Sequence, residues 1–293
     1  MQIVKKAVIL AGGLGTRFLP ASKAIPKEMF PVLDKPILQY LVEELVDAGI
    51  NEIIIVLGRH KEIVLKHFNK CSFLEKRLKQ TNKPDLLKKL TKINELPRIR
   101  FVKNVLPKGA GYALLKAKKH LKNEPFILLV GDEIGLYKSK NSIQQILHSY
   151  YKYNKNIIGV SKEPAEKMVN YGMIVGKKVN PHNYEILNLI EKPKLNEVTS
   201  NLAASGKYIF KPSIFEKMKE TKIEKNKEIQ YNNAIMLMIK ENDVNALLLD
   251  YKRYDTGSKL GYVLANLDLG LLDEDIKKEL FEELKKRVEE KSE

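Results

Sequence analysis

The chain of 293 residues contains no tryptophan and a single cysteine, Cys71. One cysteine allows neither an intrachain disulfide nor a cysteine-based metal cluster, which suits a reducing cytoplasm. No window approaches the roughly 18 consecutive apolar residues that a membrane span requires. Lys5 and Lys6 ahead of the apolar run 7–10 imitate an export signal, but the run is short and passes into Gly12, Gly13 and Arg17 without a small-residue cleavage pattern. A soluble, cytoplasmic protein with no membrane partner is expected. Arginine is scarce as well, at seven of 52 basic side chains. The net charge of +16 is therefore mostly lysine, whereas nucleic-acid readers and bidentate phosphate clamps favour the guanidinium. It reads as a solvated surface, and no nucleic-acid partner is expected. The five histidines form no pattern with serine, cysteine or acidic residues. What is abundant is ordinary core material: 44% hydrophobic residues, in a chain long enough to bury about three quarters of its unfolded surface. Disorder is excluded.

Hydrophobic periodicity gives the organisation. Residues 3–10 form an apolar, β-branched run ended by Gly-Gly, as in a buried parallel strand. A loop over 11–34 follows, then a helix over 36–48 with proline near its first turn and Gly49 just past its end, and a second buried strand over 52–57. Further strands are predicted at 99–102, 126–130 and 157–160, with helical segments between them. Shorter ones follow at 173–175, 185–190, 207–210 and 244–249, with a helix over 228–241. The fold class is therefore α/β: an open mixed, mostly parallel sheet with helices on both faces. Loops after its parallel strands share one edge, where open sheets of this kind bind ligands. Residues 61–97, rich in Lys and Leu, read as two helices broken near Pro84 that cover the sheet. No Gly-, Pro- or Ser-rich linker divides the chain. One domain over 1–272 is expected, with halves of about 1–160 and 161–272, followed by a helix over 273–293. On that helix Ile276, Leu280, Leu284 and Val288 recur every four residues, facing either the chain's own core or another subunit.

Chemistry concentrates after the first strand, in Gly12-Gly13-Leu14-Gly15-Thr16-Arg17. The dinucleotide fingerprint fails here for want of a third glycine at Phe18 and of an acid at the end of the second strand. The ATPase phosphate loop fails for want of Gly-Lys-Ser/Thr. A backbone open to approach remains, able to turn N–H groups on phosphate oxygens beside a permanent cation. Taken alone, such a turn serves more often as a tight connection. Beyond it, prolines 20, 26 and 31 stiffen a loop that carries Lys23 and Lys27. Further along, Asp132 follows the strand 126–130 after one glycine, and Asp255 opens an Asp-Thr-Gly turn. Each by itself reads equally as a turn-capping aspartate. Lys192, before Pro193, reads as a solvated strand end.

The run from Ala11 to Tyr40 closely resembles the bacterial UTP–glucose-1-phosphate uridylyltransferases (UDP-glucose pyrophosphorylases), within the sugar-nucleotidyltransferase group and its Rossmann-like fold. The resemblance continues through Leu-Pro-Lys-Gly-Ala-Gly-Tyr-Ala at 106–113, Leu-Val-Gly-Asp-Glu at 129–133 and Tyr171-Gly172. It resumes at Ile-Glu-Lys-Pro at 190–193, Asn201, Glu228 to Gln230, and Asp255-Thr256-Gly257 with Lys-Leu-Gly-Tyr at 259–262.

The resemblance implies attack of glucose 1-phosphate on the α-phosphorus of UTP, with release of pyrophosphate. Arg17 and Lys27 would be the catalytic cations. Ala11, Gly12, Gly13, Gly15, Thr16, Glu28, Asn104 and Gly109 would contact the nucleotide, and Gly172, Glu191, Lys192 and Asn201 the sugar phosphate. Mg²⁺ would sit on Asp132 and Asp255, with Glu133 a less favoured ligand, and the enzyme would be a homodimer or homotetramer. Three departures stand out: Asn104 where the family has Gln, Tyr112 where it often has His, and Asn232-Asn233 where it has Thr-Asp. A thymidylyl- or cytidylyltransferase is the neighbouring alternative. A nonenzymatic nucleotide- or nucleic-acid-binding regulator on the same fold is the alternative of another class.

Overall fold

Alternation along the first strand sets the two layers. Ala7 and Ile9 enter one apolar cluster and Val8 the other, all fully buried, as a pleated strand covered on both faces requires. The computed structural model describes residues 2–106, 108–221 and 228–290. Its strands are β1 (Lys6–Ala11), β2 (Pro31–Val32), β3 (Lys35–Pro36), β4 (Glu52–Leu57), β5 (Arg98–Lys103), β6 (Phe126–Val130) and β7 (Glu133–Leu136). They continue as β8 (Asn156–Lys162), β9 (Gly172–Lys178), β10 (Asn183–Glu191), β11 (Leu202–Phe210), β12 (Val244–Leu248) and β13 (Lys252–Asp255).

Nine of them form one sheet in the order β5-β4-β1-β6-β11-β8-β12-β10-β9. The pairings of β1 with β4 and β6, of β4 with β5 and of β8 with β12 are parallel. β11 runs antiparallel to β6, β8 and β9, and β10 antiparallel to β12 and β9. Seven strands (β5, β4, β1, β6, β8, β12, β9) thus share one direction and two are reversed, so the mixed, mostly parallel α/β sheet is present. β11 lies between β6 of the first half and β8, so a single sheet runs through both halves.

Helices Ile37–Asp47 and Ser142–Tyr153 pack on one face, through Leu38, Leu41, Leu45, Ile143 and Ile146. Helices Ala110–Leu121, Ile214–Glu220 and Tyr231–Lys240 cover the other, through Leu114, Leu121, Phe215, Ile235 and Met238. The first strand begins later than expected because Ile3 is 66% exposed, whereas the Lys6 ammonium is buried on Glu124 at 2.9 Å.

The segment 61–97, expected to cover the sheet, differs from expectation, and its second and third helices bury no apolar side chain. It holds three helices, Glu62–Phe68, Ser72–Gln80 and Pro84–Thr91. The break at Pro84 is there, with the proline in the helix's first turn, where no N–H is needed. A second break falls at Asn69–Cys71. The last helix, Lys277–Glu289, is shorter than expected and buries none of its residues; positions 291–293 of the expected helix lie outside the described residues. Leu280 and Leu284 are partly covered, while Ile276 and Val288 are exposed, and Leu280 and Ile276 lie against Gly270 of the chain's own body. Among the described residues no helix is long and apolar enough to cross a membrane.

Candidate active site

Three strand ends build the nucleotide side. β1 delivers the buried Ala11, and the chain then turns through Gly12, Gly13 and Gly15, the last at φ 65°, into the short 3₁₀ turn Thr16–Phe18. Ser22 Oγ donates to the Gly15 carbonyl at 2.7 Å and fastens the turn. At the neighbouring strand ends, the Asn104 N–H donates to the Leu57 carbonyl at 2.7 Å, which places Asn104 on the same edge. Its Oδ1 is buried without a hydrogen-bond partner among the described residues. Pro107, in the run 106–113 that carries part of the resemblance, lies outside the described residues. Gly109, at φ 91°, starts helix Ala110–Leu121, and the Gly111 N–H donates to the Ile229 carbonyl at 2.8 Å, tying the 228–230 segment to this turn. Tyr112 stands apart, with the Lys116 ammonium 4.8 Å from its ring centre.

The two candidate metal carboxylates meet through a ladder that the strand predictions did not contain. β7 pairs antiparallel with β13, setting Asp255 opposite Glu133, one residue beyond Asp132. Thr256 Oγ1 closes the corner on the Asp132 carbonyl at 2.7 Å. A Cβ built on Gly257 would stand 2.5 Å from Asp132 Oδ2 and 3.0 Å from Asp255 Oδ1. Both oxygens therefore converge on one small space that only glycine leaves open. Lys27 Nζ donates to Asp132 Oδ2. Burial pulls the Lys27 ammonium down, but the charge and hydrogen bond of Asp132 hold it above its ordinary value. Arg17 donates to the Gly257 carbonyl at 3.4 Å and lies 3.9 Å from Asp255 Oδ2. Among the described residues no group of three or more metal-ligating side chains occurs. Two carboxylates with room for phosphate oxygens are the donor set that Mg²⁺ favours, so the residues present fit that ion.

On the sugar side, a cleft of about 300 Å³ is lined by Arg17, Asp132, Asp255, Gly172, Glu191 and Lys192 among others. Glu191 Oε2 accepts from Asn232 Nδ2 at 2.8 Å, so one departure from the family pattern has a local function.

Two expectations need correction. Glu28 does not face the cleft. It is buried beneath the Gly-rich turn with both oxygens on Lys61 Nζ at 2.9 Å, which makes it a brace rather than a nucleotide contact. Asn201 lines a separate groove with Thr199, Ser200 and Tyr184, where its carbonyl accepts from the Glu163 N–H at 2.9 Å, so it does not reach the sugar-side cleft.

Sequence reasoning missed Lys61 and Arg253. Burial pushes the Lys61 ammonium below its ordinary value, against the pull of Glu28. Arg253 Nε donates to Glu133 Oε2 at 2.7 Å, and its guanidinium lies 4.1 Å from the Tyr171 ring centre. The Tyr171 hydroxyl in turn donates to Asp255 Oδ2 at 3.1 Å. Glu133, its other oxygen taken by the Tyr251 hydroxyl at 2.8 Å, is committed to this network and not to a metal. Burial raises its carboxyl against the pull of Arg253 and Lys207. Arg253 could have been found from its two-residue offset to Asp255, which sets both on one face of a strand. Lys61 carries no such signal.

Comparisons with known proteins bear on the family and the fold. A family model described as nucleotidyl transferase matches residues 6–270. The UTP–glucose-1-phosphate uridylyltransferase of Bacillus subtilis is 39% identical over 280 residues, covering 96% of each chain. A solved UDP-glucose pyrophosphorylase complexed with UDP-glucose is similar at a TM-score of 0.82 and 37% identity, covering 90% of this chain and 97% of the other. A UTP-bound UGPase from Acinetobacter baumannii reaches 0.88 at 33% identity, covering 96% and 98%.

Proposed function

Because the chain belongs to the nucleotidyl transferase family, among the UTP–glucose-1-phosphate uridylyltransferases, we propose that it transfers a uridylyl group from UTP to glucose 1-phosphate. A phosphate oxygen of the sugar phosphate forms a bond to the α-phosphorus as the bond to the β-phosphate oxygen breaks, giving UDP-glucose and pyrophosphate. The nucleophile is already anionic near neutral pH, so no general base is needed, and catalysis reduces to positioning and charge stabilisation.

The observation that carries this reading is the convergence of Asp132 and Asp255 at the mouth of the Gly-rich turn, flanked by Lys27 and Arg17. These carboxylates would hold Mg²⁺, which when bound neutralises charge on the polyphosphate. Lys27 and Arg17 stabilise the departing pyrophosphate, and the N–H groups of the turn over residues 11–16 hold phosphate oxygens. The unpartnered Asn104 Oδ1 is an acceptor suited to uracil N3–H, and the Gly109 turn borders the base. Glu191 accepts from sugar hydroxyls beside Gly172, and Lys192 holds the attacking phosphate. Residues 1–272 act as one catalytic domain in a cytoplasmic enzyme. The C-terminal helix, with Phe281 57% exposed, offers the contact of a homodimer or homotetramer.

The test is pyrophosphate release from a matrix of four nucleoside triphosphates and several sugar 1-phosphates, with and without a chelator. UTP with glucose 1-phosphate should be preferred and chelation should abolish turnover. Equal rates with dTTP or CTP would overturn the uridylyl assignment.

A further inference from the structure

Lys61 opens helix Glu62–Phe68, and its side chain is 6% exposed. Its ammonium has three protons and meets three acceptors: the Gly13 carbonyl at 2.9 Å and both oxygens of Glu28 at 2.9 Å. Fully engaged beneath the turn, it is built to hold protein and not ligand.

What it holds is the phosphate-facing backbone. The far side of Gly13 faces Lys27: a Cβ on Gly13 would lie 3.5 Å from Lys27 Cε and 3.6 Å from Nζ. A trans peptide points its carbonyl and N–H in opposite directions. Drawing the Gly13 carbonyl towards Lys61 therefore turns the Leu14 N–H away from it, on the stretch of the turn where Leu14 is 80% exposed. Glu28, gripped by the same ammonium, follows Lys27 in the 3₁₀ turn Lys27–Met29, whose backbone is closed by the Met29 N–H on the Pro26 carbonyl at 2.8 Å. One buried cation thus fixes both the peptide that offers an N–H and the turn from which the catalytic ammonium projects.

We propose that Lys61 is a positioning residue for uridylyl transfer, setting the Gly13–Leu14 peptide and the Lys27 turn in a single arrangement before UTP arrives. The inference rests on the uridylyl reading above. The competing account is that Lys61 only neutralises Glu28.

Two full-length variants separate these accounts: Lys61→Met, and Lys61→Met with Glu28→Gln. The single change leaves a buried carboxylate unpaired and is expected to lower thermal stability. The double change removes both charges and should regain most of it. Thermal unfolding, calorimetric UTP binding without sugar phosphate, and kcat with the KM for each substrate are then measured. In the folded double variant, kcat should fall about 10- to 100-fold, the range seen when a group that orients a first contact shell is lost. UTP binding should weaken by about tenfold on the same grounds, while the KM for glucose 1-phosphate stays unchanged. A folded double variant with UTP binding and kcat at wild-type levels overturns the proposal, as does a loss of kcat that only tracks the unfolded fraction. If the wild-type protein releases no pyrophosphate from UTP and glucose 1-phosphate, it is the uridylyl reading that fails, and the binding comparison still reports on Lys61.

Discussion

The two sides of the cleft hold their charged groups differently. On the phosphate side Lys27 and Lys61 have side chains 17% and 6% exposed, each seated on a carboxylate. On the sugar side Glu191 and Lys192 are exposed at the end of β10, with Lys192 at φ 47° and its N–H on the Tyr171 carbonyl at 3.0 Å. Charge that grows during reaction is best met by dipoles and ions that do not reorganise. Recognition of neutral hydroxyls tolerates a more open arrangement. On the proposed reading, the difference between Lys27 and Glu191 separates a group that lowers the barrier from one that selects the substrate, and each predicts a different kinetic signature.

The largest effect is expected at Lys27. Lys27→Ala should lower kcat by about 10² to 10³, the scale for deleting one preorganised electrostatic contact, with far less change in UTP binding. Lys27→Arg should rescue poorly, since a planar fork does not occupy the point position of an ammonium. Steady-state kinetics returning near wild-type kcat for the alanine variant would erase the contrast between the two sides. Next is Gly257→Ala, which puts a methyl group between the two carboxylates. The Mg²⁺ concentration for half-maximal activity should rise about 10- to 100-fold while the melting temperature barely moves. An unchanged metal requirement would show that Asp132 and Asp255 do not share an ion.

On the sugar side, Glu191→Gln should raise the KM for glucose 1-phosphate by roughly fivefold, the scale of one hydrogen bond, with kcat and the KM for UTP held. A fall in kcat instead would place Glu191 among the barrier-lowering groups. The smallest effect lies outside the cleft. His67 is held below its ordinary pKa of 6.5 by burial, against a weaker pull from Glu43, and its Nε2 pairs with Gln39 Oε1 at 2.8 Å. The folded state thus resists protonating it. The stability it contributes is complete above pH 6.5 and is lost as pH falls through the depressed pKa. Melting temperatures of wild type and His67→Gln should run in parallel above pH 6.5, with the wild type falling away faster below it; parallel curves throughout would refute this.

Much of this arrangement is legible in the chain, for identifiable reasons. Strands buried on both faces announce themselves as apolar runs, and β4 and β6 match their predicted limits residue for residue. Helix Ile37–Asp47 differs by one residue at each end, since proline and glycine mark both. The pairing of β7 with β13 was not legible. Each strand has only four residues, and their partnership spans more than a hundred positions. Among the site residues, Asp132 and Asp255 could be named from the sequence, but their shared space depends on that ladder. Glu28 was misplaced because a carboxylate next to Lys27 looks the same in sequence whether it faces solvent or a buried ammonium. Asn201 was misplaced because Ala204, Gly206 and Tyr208 of the strand it precedes, β11, line the cleft, while Asn201 and Leu202 line a separate groove.

β11 has a mechanical consequence. Leu202–Phe210, from the later part of the chain, hydrogen-bonds to β6 along one edge and to β8 along the other, so it is inserted between two earlier strands and no free linker forms a hinge there. Rotating one half against the other would tear a ladder in the middle of the sheet, at far greater cost than moving a loop. Access to the cleft is therefore expected to depend on its surrounding loops, because the sheet beneath them keeps its ladder intact.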